Sequence, residues 1–151
     1  MRDITKTFGS VVANNRVNLT VYRGEILALL GENGSGKTTL MNMLSGIYYP
    51  DSGHIYINGE EVSIRSPKDA IELGIGMVHQ HFKLVDNLTA AENIVLGLRG
   101  KGRLNRKQVA EEVLEISRKY GFDINPNKKI YDMSVSEKQT VEIIKVLYRG
   151  A

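Results

Sequence analysis

The sequence predicts an α/β fold, with strands and helices in its front part and helices alone in its back part. A short apolar run at residues 25–30, EILALL, leads into a glycine-rich turn and then into a segment with apolar residues at helical spacing. A run of this length is typical of a strand that is buried on both faces of a parallel sheet. Strand, glycine loop and helix in this order form the first unit of many α/β folds.

The segment after the glycine loop is predicted to be a helix that ends near Gly46. Its apolar residues recur at intervals of three and four, which places them on one face of a helix. They are Leu40, Met43, Leu44 and Ile47. Glycine suits the end of a helix because it adopts the left-handed conformation readily.

An antiparallel hairpin is predicted next. Residues 54–57 alternate between polar and apolar, the Asn-Gly pair at residues 58–59 is the strongest short hairpin signal, and the alternation resumes at residues 62–64. A short helix over residues 68–73 and a second core strand at residues 76–80, GMVHQ, complete the front part.

The back part is predicted to be helical from about residue 88 onward. Asn105 with Gln108 resembles a capping box, and apolar residues follow at i, i+4, i+7 and i+11. These are Val109, Val113, Ile116 and Tyr120. Ser134 with Glu137 forms a clearer S-x-x-E box before a last helix. We therefore expect two parts, residues 1–87 and residues 88–151.

The composition argues against several kinds of protein and site. The chain has 151 residues, a formal net charge of +3 and no cysteine, so disulfides and thiolate zinc sites are excluded. No apolar run approaches the roughly 20 residues of a membrane span. We expect no signal peptide, because the first residues do not have the charged and then apolar pattern of a leader. Five basic residues at 99–107 could bind nucleic acid or lipid, but glycines and the absence of aromatic residues favour a solvated surface turn.

Residues 31–38, GENGSGKT, match the pattern G-x-x-x-x-G-K-[ST] without exception. Glycines allow successive backbone N–H groups to point inward at an anion, and a following helix adds the positive end of its dipole. Lys37 is expected to reach the β- and γ-phosphates of a nucleotide, and the Thr38 hydroxyl is expected to bind Mg²⁺. The alternative is a glycine-rich surface turn beside a lysine.

Three longer stretches extend this motif, namely LLGENGSGKTTLMNMLSG, PDSGHIYINGEEV and IGMVHQHFKLVDNLTAAENIVLG. Together they resemble the ATP-binding subunits of ABC transporters, in particular the N-terminal ATPase half of bacterial importers for simple sugars and nucleosides. The resemblance covers nearly the whole chain. It implies a P-loop NTPase of the ABC ATPase type, with an incomplete core of parallel strands, an antiparallel β hairpin region and a helical subdomain, and with ATP and Mg²⁺ as cofactors.

The resemblance also implies roles for individual residues. It assigns to ATP binding Phe8, Gly31, Glu32, Asn33, Gly34, Ser35, Gly36, Lys37, Thr38, Thr39 and Gln80. Phe8 would stack on adenine, with a core phenylalanine as the alternative. Gln80 would bind Mg²⁺ together with Thr38 and orient the attacking water, with a buried hydrogen-bonding glutamine as the alternative. For His79 and His81, which flank it, we favour a loop role over a metal site.

A signature-like segment is implied at residues 133–139, MSVSEKQ, where the family has L-S-V-G-x-x-Q-R. Its residues would contact the γ-phosphate bound to an opposite ATPase domain: Ser134, Val135, Ser136 and Glu137. Ser136 stands where the family has glycine, and Thr140 stands where it has arginine. We hypothesise that the signature is weakened because a side chain at Ser136 crowds the phosphate. Alternatively, the segment is only a capping box.

In the family, a strand ending in Asp-Glu and a later histidine follow such a segment, and this sequence does not contain them. We therefore expect a chain truncated at both ends, with a partial ATP-binding core at residues 1–87 and a helical subdomain at residues 88–151. Hydrolysis by the chain alone is not expected. The implied partners are transmembrane permease subunits, a second ATPase domain and, indirectly, an external solute-binding protein, but no nucleic acid.

The resemblance implies a peripheral location on the cytoplasmic face of the cell membrane. Two other functions stay open beside a transport ATPase. One is a module that binds nucleotide without hydrolysing it. The other is an ABC-type ATPase of repair or translation, against which the importer-like HQHFKLV segment argues.

Overall fold

The computed structural model describes residues 1–98 and 105–151. Most of the basic run at residues 99–107 therefore lies outside the described residues. The chain forms two compact units, Met1–Ile75 and Gly76–Ala151. The units divide earlier in the chain than the boundary expected between residues 87 and 88, while the assignment of the two parts to ATP binding and to a helical subdomain stays a prediction.

The first unit contains a four-stranded sheet. Its strands are β1 (Arg2–Phe8), β2 (Val11–Val17), β3 (Ser52–Ile57) and β4 (Glu60–Val62), in the order β2-β1-β3-β4. The predicted hairpin is confirmed, since β3 and β4 pair antiparallel with Ile57 opposite Glu60. Asn58 and Gly59 both have positive φ angles, 53° and 88°, as the tight two-residue turn requires.

Two helices pack on the core of this unit. α1 (Lys37–Leu44) buries Leu40 and Met43, and it ends just before Gly46, whose φ is 73°. Ile47, predicted on the same face, lies beyond the helix and is 46% exposed. α2 (Pro67–Glu72) begins at a Ser66 cap. The buried core residues are Ile4, Leu40, Met43, Ile55, Ile64 and Ala70.

The two predicted parallel strands are not formed among the described residues, where every strand pair is antiparallel. Residues 25–30 and 76–80 have no strand assignment. Ile26 is 98% and Leu30 is 89% exposed, although the apolar run predicted burial on both faces. A strand needs a neighbour to pair its backbone groups, and neither segment has one in the part of the chain that the structure describes.

The second unit is built of helices among its described residues. It contains α3 (Ala90–Val95), α4 (Arg106–Lys119), a 3-10 turn (Ile130–Asp132) and α5 (Val135–Tyr148). Its core includes Ala90, Ile94, Val113, Ile130, Val141 and Ile144. Tyr120, predicted on the buried face of α4, follows the end of that helix and is 47% exposed.

Side-chain caps begin the helices of the second unit. The box of Ser134 and Glu137 is complete, as predicted, and Thr89 with Glu92 forms a second one. Asn105 caps α4, but Gln108 donates to Glu112 four residues on, so this site is a simple cap. Among residues 1–98 and 105–151, no helix is long and apolar enough to cross a membrane.

Candidate functional site: the glycine loop before α1

The side chain of Lys37 lies inside the glycine loop. Its ammonium Nζ donates to the carbonyl oxygens of Gly31 and Glu32 at 2.7 and 2.6 Å, and to Ser35 Oγ at 3.1 Å. A turn in which the Ser35 N–H donates to the Glu32 oxygen at 3.2 Å closes the loop around it. The loop therefore holds one positive charge at the start of α1.

Two glycines of the loop lie where an added side chain would meet close neighbours. Gly36 has a φ of 85°, and a Cβ there would lie 2.3 Å from the Ala13 oxygen and 2.9 Å from Asn14 Nδ2. A Cβ at Gly31 would lie 2.9 Å from Ser35 Oγ and 3.7 Å from Lys37 Nζ, and so would enter the loop interior. The loop is thus a cradle that a side chain would fill, which fits a bound phosphate chain.

The start of α1 leaves its backbone donors uncapped. Gly36 stands at the N-cap without a side-chain hydrogen bond, and the first turn has no acidic residue. Free N–H groups and the positive end of the helix dipole favour an anion at this place. Thr38 is exposed and Thr39 half-buried, while Asn33 and Gly34 are exposed on the loop.

A buried asparagine supports the loop from β2. Asn14 is only 6% exposed, and its Nδ2 donates to the Gly36 oxygen at 3.3 Å. That oxygen also accepts the first helical bond, from the Leu40 N–H at 2.9 Å. The Oδ1 atom of Asn14 has no hydrogen-bond partner among the described residues. The sequence analysis did not identify this residue, which sits in a strand with no apolar alternation.

Phe8 lies at the end of β1 with 43% of its surface exposed, so the core alternative does not describe it. Its ring meets that of Tyr48 edge-on, with centroids 5.1 Å apart. Asp51 fixes the strand end beside it, because its carboxylate accepts from the Thr7 N–H and hydroxyl and from Lys6 Nζ, each at 2.7 Å. The bond from Lys6 and those from Thr7 lower the pKa of Asp51 to about 2.

Gln80 belongs to the second unit and is exposed, so the alternative of a buried glutamine does not describe it either. Thr38, its proposed companion at Mg²⁺, belongs to the first unit. Their joint role therefore stays a prediction. No group of three His, Cys, Asp or Glu side chains that could hold a metal ion occurs in residues 1–98 and 105–151.

The chain just after Gln80 is held by side chains that sequence reasoning missed. Glu142 of α5 is 2% exposed and accepts the Lys83 N–H at 2.8 Å. Lys145, one turn further along α5, donates to the Lys83 oxygen at 3.0 Å. A sequence signal existed, because Glu142 lies between Val141 and Ile144 on the segment that predicts a buried face.

The signature-like segment forms the first turn of α5. Ser134 Oγ accepts the Glu137 N–H at 3.3 Å, and Glu137 Oε2 accepts the Ser134 N–H at 2.7 Å. The Lys128 ammonium, which donates to the same carboxylate, and the Ser134 N–H lower the pKa of Glu137 to about 2. Val135 and Ser136 are exposed. The capping role of this segment is thus present, while its phosphate role stays a prediction.

Comparison with known proteins supplies close relatives. The chain is 56% identical, over all of its length, to the guanosine import ATP-binding protein NupO of Bacillus subtilis. It is 53% identical to the nucleoside import ATP-binding protein NupA of Lactococcus lactis, and 45% identical to the ribose import ATP-binding protein RbsA of Caldanaerobacter subterraneus. The chain spans 30%, 30% and 31% of the length of these relatives, respectively.

Solved structures share the fold. A nucleotide-free ATP-binding cassette of an ABC transporter matches with a TM-score of 0.83 over 98% of this chain and 63% of that one, at 24% identity. A dimeric bacterial ABC transporter cassette matches with a TM-score of 0.76 and 27% identity, over 98% of this chain and 68% of that one. These matches confirm the predicted α/β fold of a P-loop ATPase of the ABC type. The model of the ABC transporter family matches residues 14–151, and the chain belongs to that family.

Proposed function

We propose that this chain binds ATP with Mg²⁺ at residues 31–38, as the ATP-binding part of an importer ATPase. The observation that carries the proposal is the Lys37 ammonium, which the loop carbonyls hold at the uncapped start of α1. An ammonium and free N–H groups in one cradle complement the charge of a triphosphate. The matched family and the relatives named for ATP binding support the same conclusion.

The other site residues take the roles that their positions allow. Phe8, exposed at the end of β1, would offer a ring face to adenine. Thr38 and Gln80 would hold Mg²⁺, which when bound supplies positive charge that neutralises the phosphate oxygens. Lys37 would move from its loop carbonyls to the phosphates, because a charge-assisted bond to phosphate is stronger than a bond to a neutral carbonyl.

The relatives point to the task of the whole protein. Those at 56% and 53% identity are named for the import of guanosine and nucleosides, and one at 45% is named for ribose. We propose uptake of a nucleoside or a sugar, powered from the cytoplasmic face of the membrane through permease subunits, with an external solute-binding protein delivering the solute. A cassette solved as a dimer supports pairing with a second ATPase domain.

Hydrolysis is proposed for the whole protein. Water attack needs a carboxylate to polarise it, and the sequence carries no apolar strand that ends in Asp-Glu. For the 151 residues alone we therefore expect binding of ATP without release of phosphate. Release of phosphate from ATP by the purified chain, lost in Lys37→Ala, would contradict this expectation.

The proposal is tested by titrating the purified chain with a fluorescent ATP analogue, with and without Mg²⁺. Lys37→Ala should weaken binding roughly 10- to 100-fold, because a hydrogen bond from a charged group is worth about 1.5–3 kcal/mol. Lys68→Ala is the matched control, since this lysine of α2 is exposed and pairs with Glu72 on the same helix. Equal affinities for the two variants, both folded, would refute the proposed site.

A further inference from the structure

We propose that Glu142 and Lys145 anchor the backbone of Lys83 and so position the loop that carries Gln80. Glu142 is thereby a positioning residue, since it acts through the chain and not by touching a nucleotide. The inference rests on the proposed role of Gln80 at Mg²⁺ and adds the groups that place Gln80. All four residues belong to the unit Gly76–Ala151.

The anchor satisfies both backbone groups of one residue. Glu142 Oε1 accepts the Lys83 N–H at 2.8 Å, and Lys145 Nζ donates to the Lys83 oxygen at 3.0 Å. The two charged groups lie 3.9 Å from each other on successive turns of α5. A strand neighbour would supply the same donor and acceptor, and here two helix side chains supply them.

Both side chains of the anchor are largely buried. The Glu142 side chain is 3% exposed and that of Lys145 is 15% exposed. This burial lowers the pKa of the Lys145 ammonium. Position 142 lies next to buried Val141 and near buried Ile144, so packing alone would favour an apolar residue there. A carboxylate at this place is compensated because it binds the Lys83 N–H and lies close to the Lys145 ammonium.

A second buried side chain fixes the chain just after Lys83. Asn93 of α3 is 0% exposed, and it accepts the Val85 N–H at 2.7 Å and donates to the Val85 oxygen at 3.0 Å. Gln80, three residues before Lys83, is exposed. Because Lys83 is held and lies three residues from Gln80, its position limits where the Gln80 side chain can reach.

The first test is amide hydrogen exchange of the full chain. Glu142→Ala should speed exchange of the Lys83 amide at least about tenfold, while the Val85 amide, bonded to Asn93, keeps its protection. Glu142→Gln keeps an acceptor oxygen and should restore most of the protection. The reciprocal variant Asn93→Ala should expose the Val85 amide first. An unchanged Lys83 amide in Glu142→Ala, or equal loss at both amides, would overturn the anchor.

The second test asks whether the anchor acts through Gln80. Binding of the ATP analogue is measured against Mg²⁺ concentration for Gln80→Ala, Glu142→Ala and the double variant. We expect each single change to raise the half-saturating Mg²⁺ concentration roughly fivefold, and the double variant to add little more. Additive effects would overturn the positioning role. If Gln80→Ala alone had no effect while the Lys83 amide still responded to Glu142→Ala, the Mg²⁺ role of Gln80 would fail and the anchor would stand.

Discussion

Helices α1 and α5 both begin at residues that the family resemblance assigns to phosphate contact, but their first turns are built in opposite ways. α1 follows Gly36, which has a left-handed conformation and no capping side chain, and its first turn has no acidic residue. α5 follows Ser134, and the hydroxyl of Ser134 and the carboxylate of Glu137 each accept a backbone N–H at its start. The start of α1 is thus open to an anion from outside, whereas the start of α5 already has one of its own.

The difference teaches that a helix start is not a phosphate site by itself. At α1 the loop adds the Lys37 ammonium to the free N–H groups, and the first turn of the helix has no acidic residue. At α5 the Glu137 carboxylate lies beside the free donors, and its charge opposes a second anion. Lys128 offsets part of that charge, because it donates to Glu137 at 2.7 Å.

The largest effect is expected from Gly36→Ala, which would close the start of α1. The new Cβ would lie 2.3 Å from the Ala13 oxygen, at a φ of 85° that alanine resists. Strain and crowding together should lower the free energy of unfolding by about 2–4 kcal/mol and abolish binding of the ATP analogue. Urea unfolding of the purified chain measures the first effect.

Gly34→Ala is the matched control for that change. Gly34 has almost the same φ, 84°, but no atom lies within 4 Å of its Cβ position. Only the backbone strain remains, so we expect a loss of about 1–2 kcal/mol. Equal losses at the two glycines would mean that contact with β2 contributes nothing to keeping the loop in place.

A smaller effect is expected when the start of α5 is opened. Ser134→Ala removes the cap of the Glu137 N–H and should lower the free energy of unfolding by about 1 kcal/mol. Ser136→Ala is the control, because this exposed serine is in the same turn and outside the capping box. The stabilities of the two variants are compared by thermal unfolding followed by circular dichroism. A larger loss of stability in Ser136→Ala than in Ser134→Ala would contradict the capping role of Ser134.

The smallest effect should appear as a change in acid stability. The folded-state pKa of Glu137 is about 2, below its ordinary value of 4.5. The charged carboxylate therefore stabilises the fold fully above about pH 4.5, and this contribution is lost as the pH falls through 2. Glu137→Gln should be less stable than wild type near pH 6 and should approach it near pH 2.

Urea unfolding at several pH values measures this difference. Glu115→Gln, at an exposed position on α4, serves as the control and should follow the wild-type curve. A constant gap between wild type and Glu137→Gln from pH 6 to pH 2 would show that charge at Glu137 is not what stabilises the cap.

Features that depend on neighbouring residues were predictable from the sequence. The Asn58–Gly59 turn, the box of Ser134 and Glu137 and the helix end at Gly46 all lie where their patterns placed them. In each case the groups that pair are only a few residues apart, so the sequence contains both partners of the interaction.

Features that depend on distant partners were not predictable in this way. Residues 25–30 have the composition of a buried strand, yet a strand forms only where a second segment pairs with it. The bond between Glu142 and Lys83 joins residues 59 apart, and no local pattern relates them. The glycine motif identified the loop as a candidate phosphate site, but it did not predict that the loop carbonyls hold Lys37. The supporting Asn14 was not identified either, since its contact with Gly36 comes from another element.

The junction between β1 and β3 has a consequence for the order of folding. Arg2 pairs with His54 and Thr5 with Ser52, and the carboxylate that binds Thr7 is 44 residues away at Asp51. Contacts between residues so far apart cost loop-closure entropy before they contribute any stability. The cap of α5 joins residues only 3 apart, so its entropy cost is small. In a refolding experiment we expect amides of α5 to become protected first, and the joining of β1 to β3 to be the slowest step in forming the first unit.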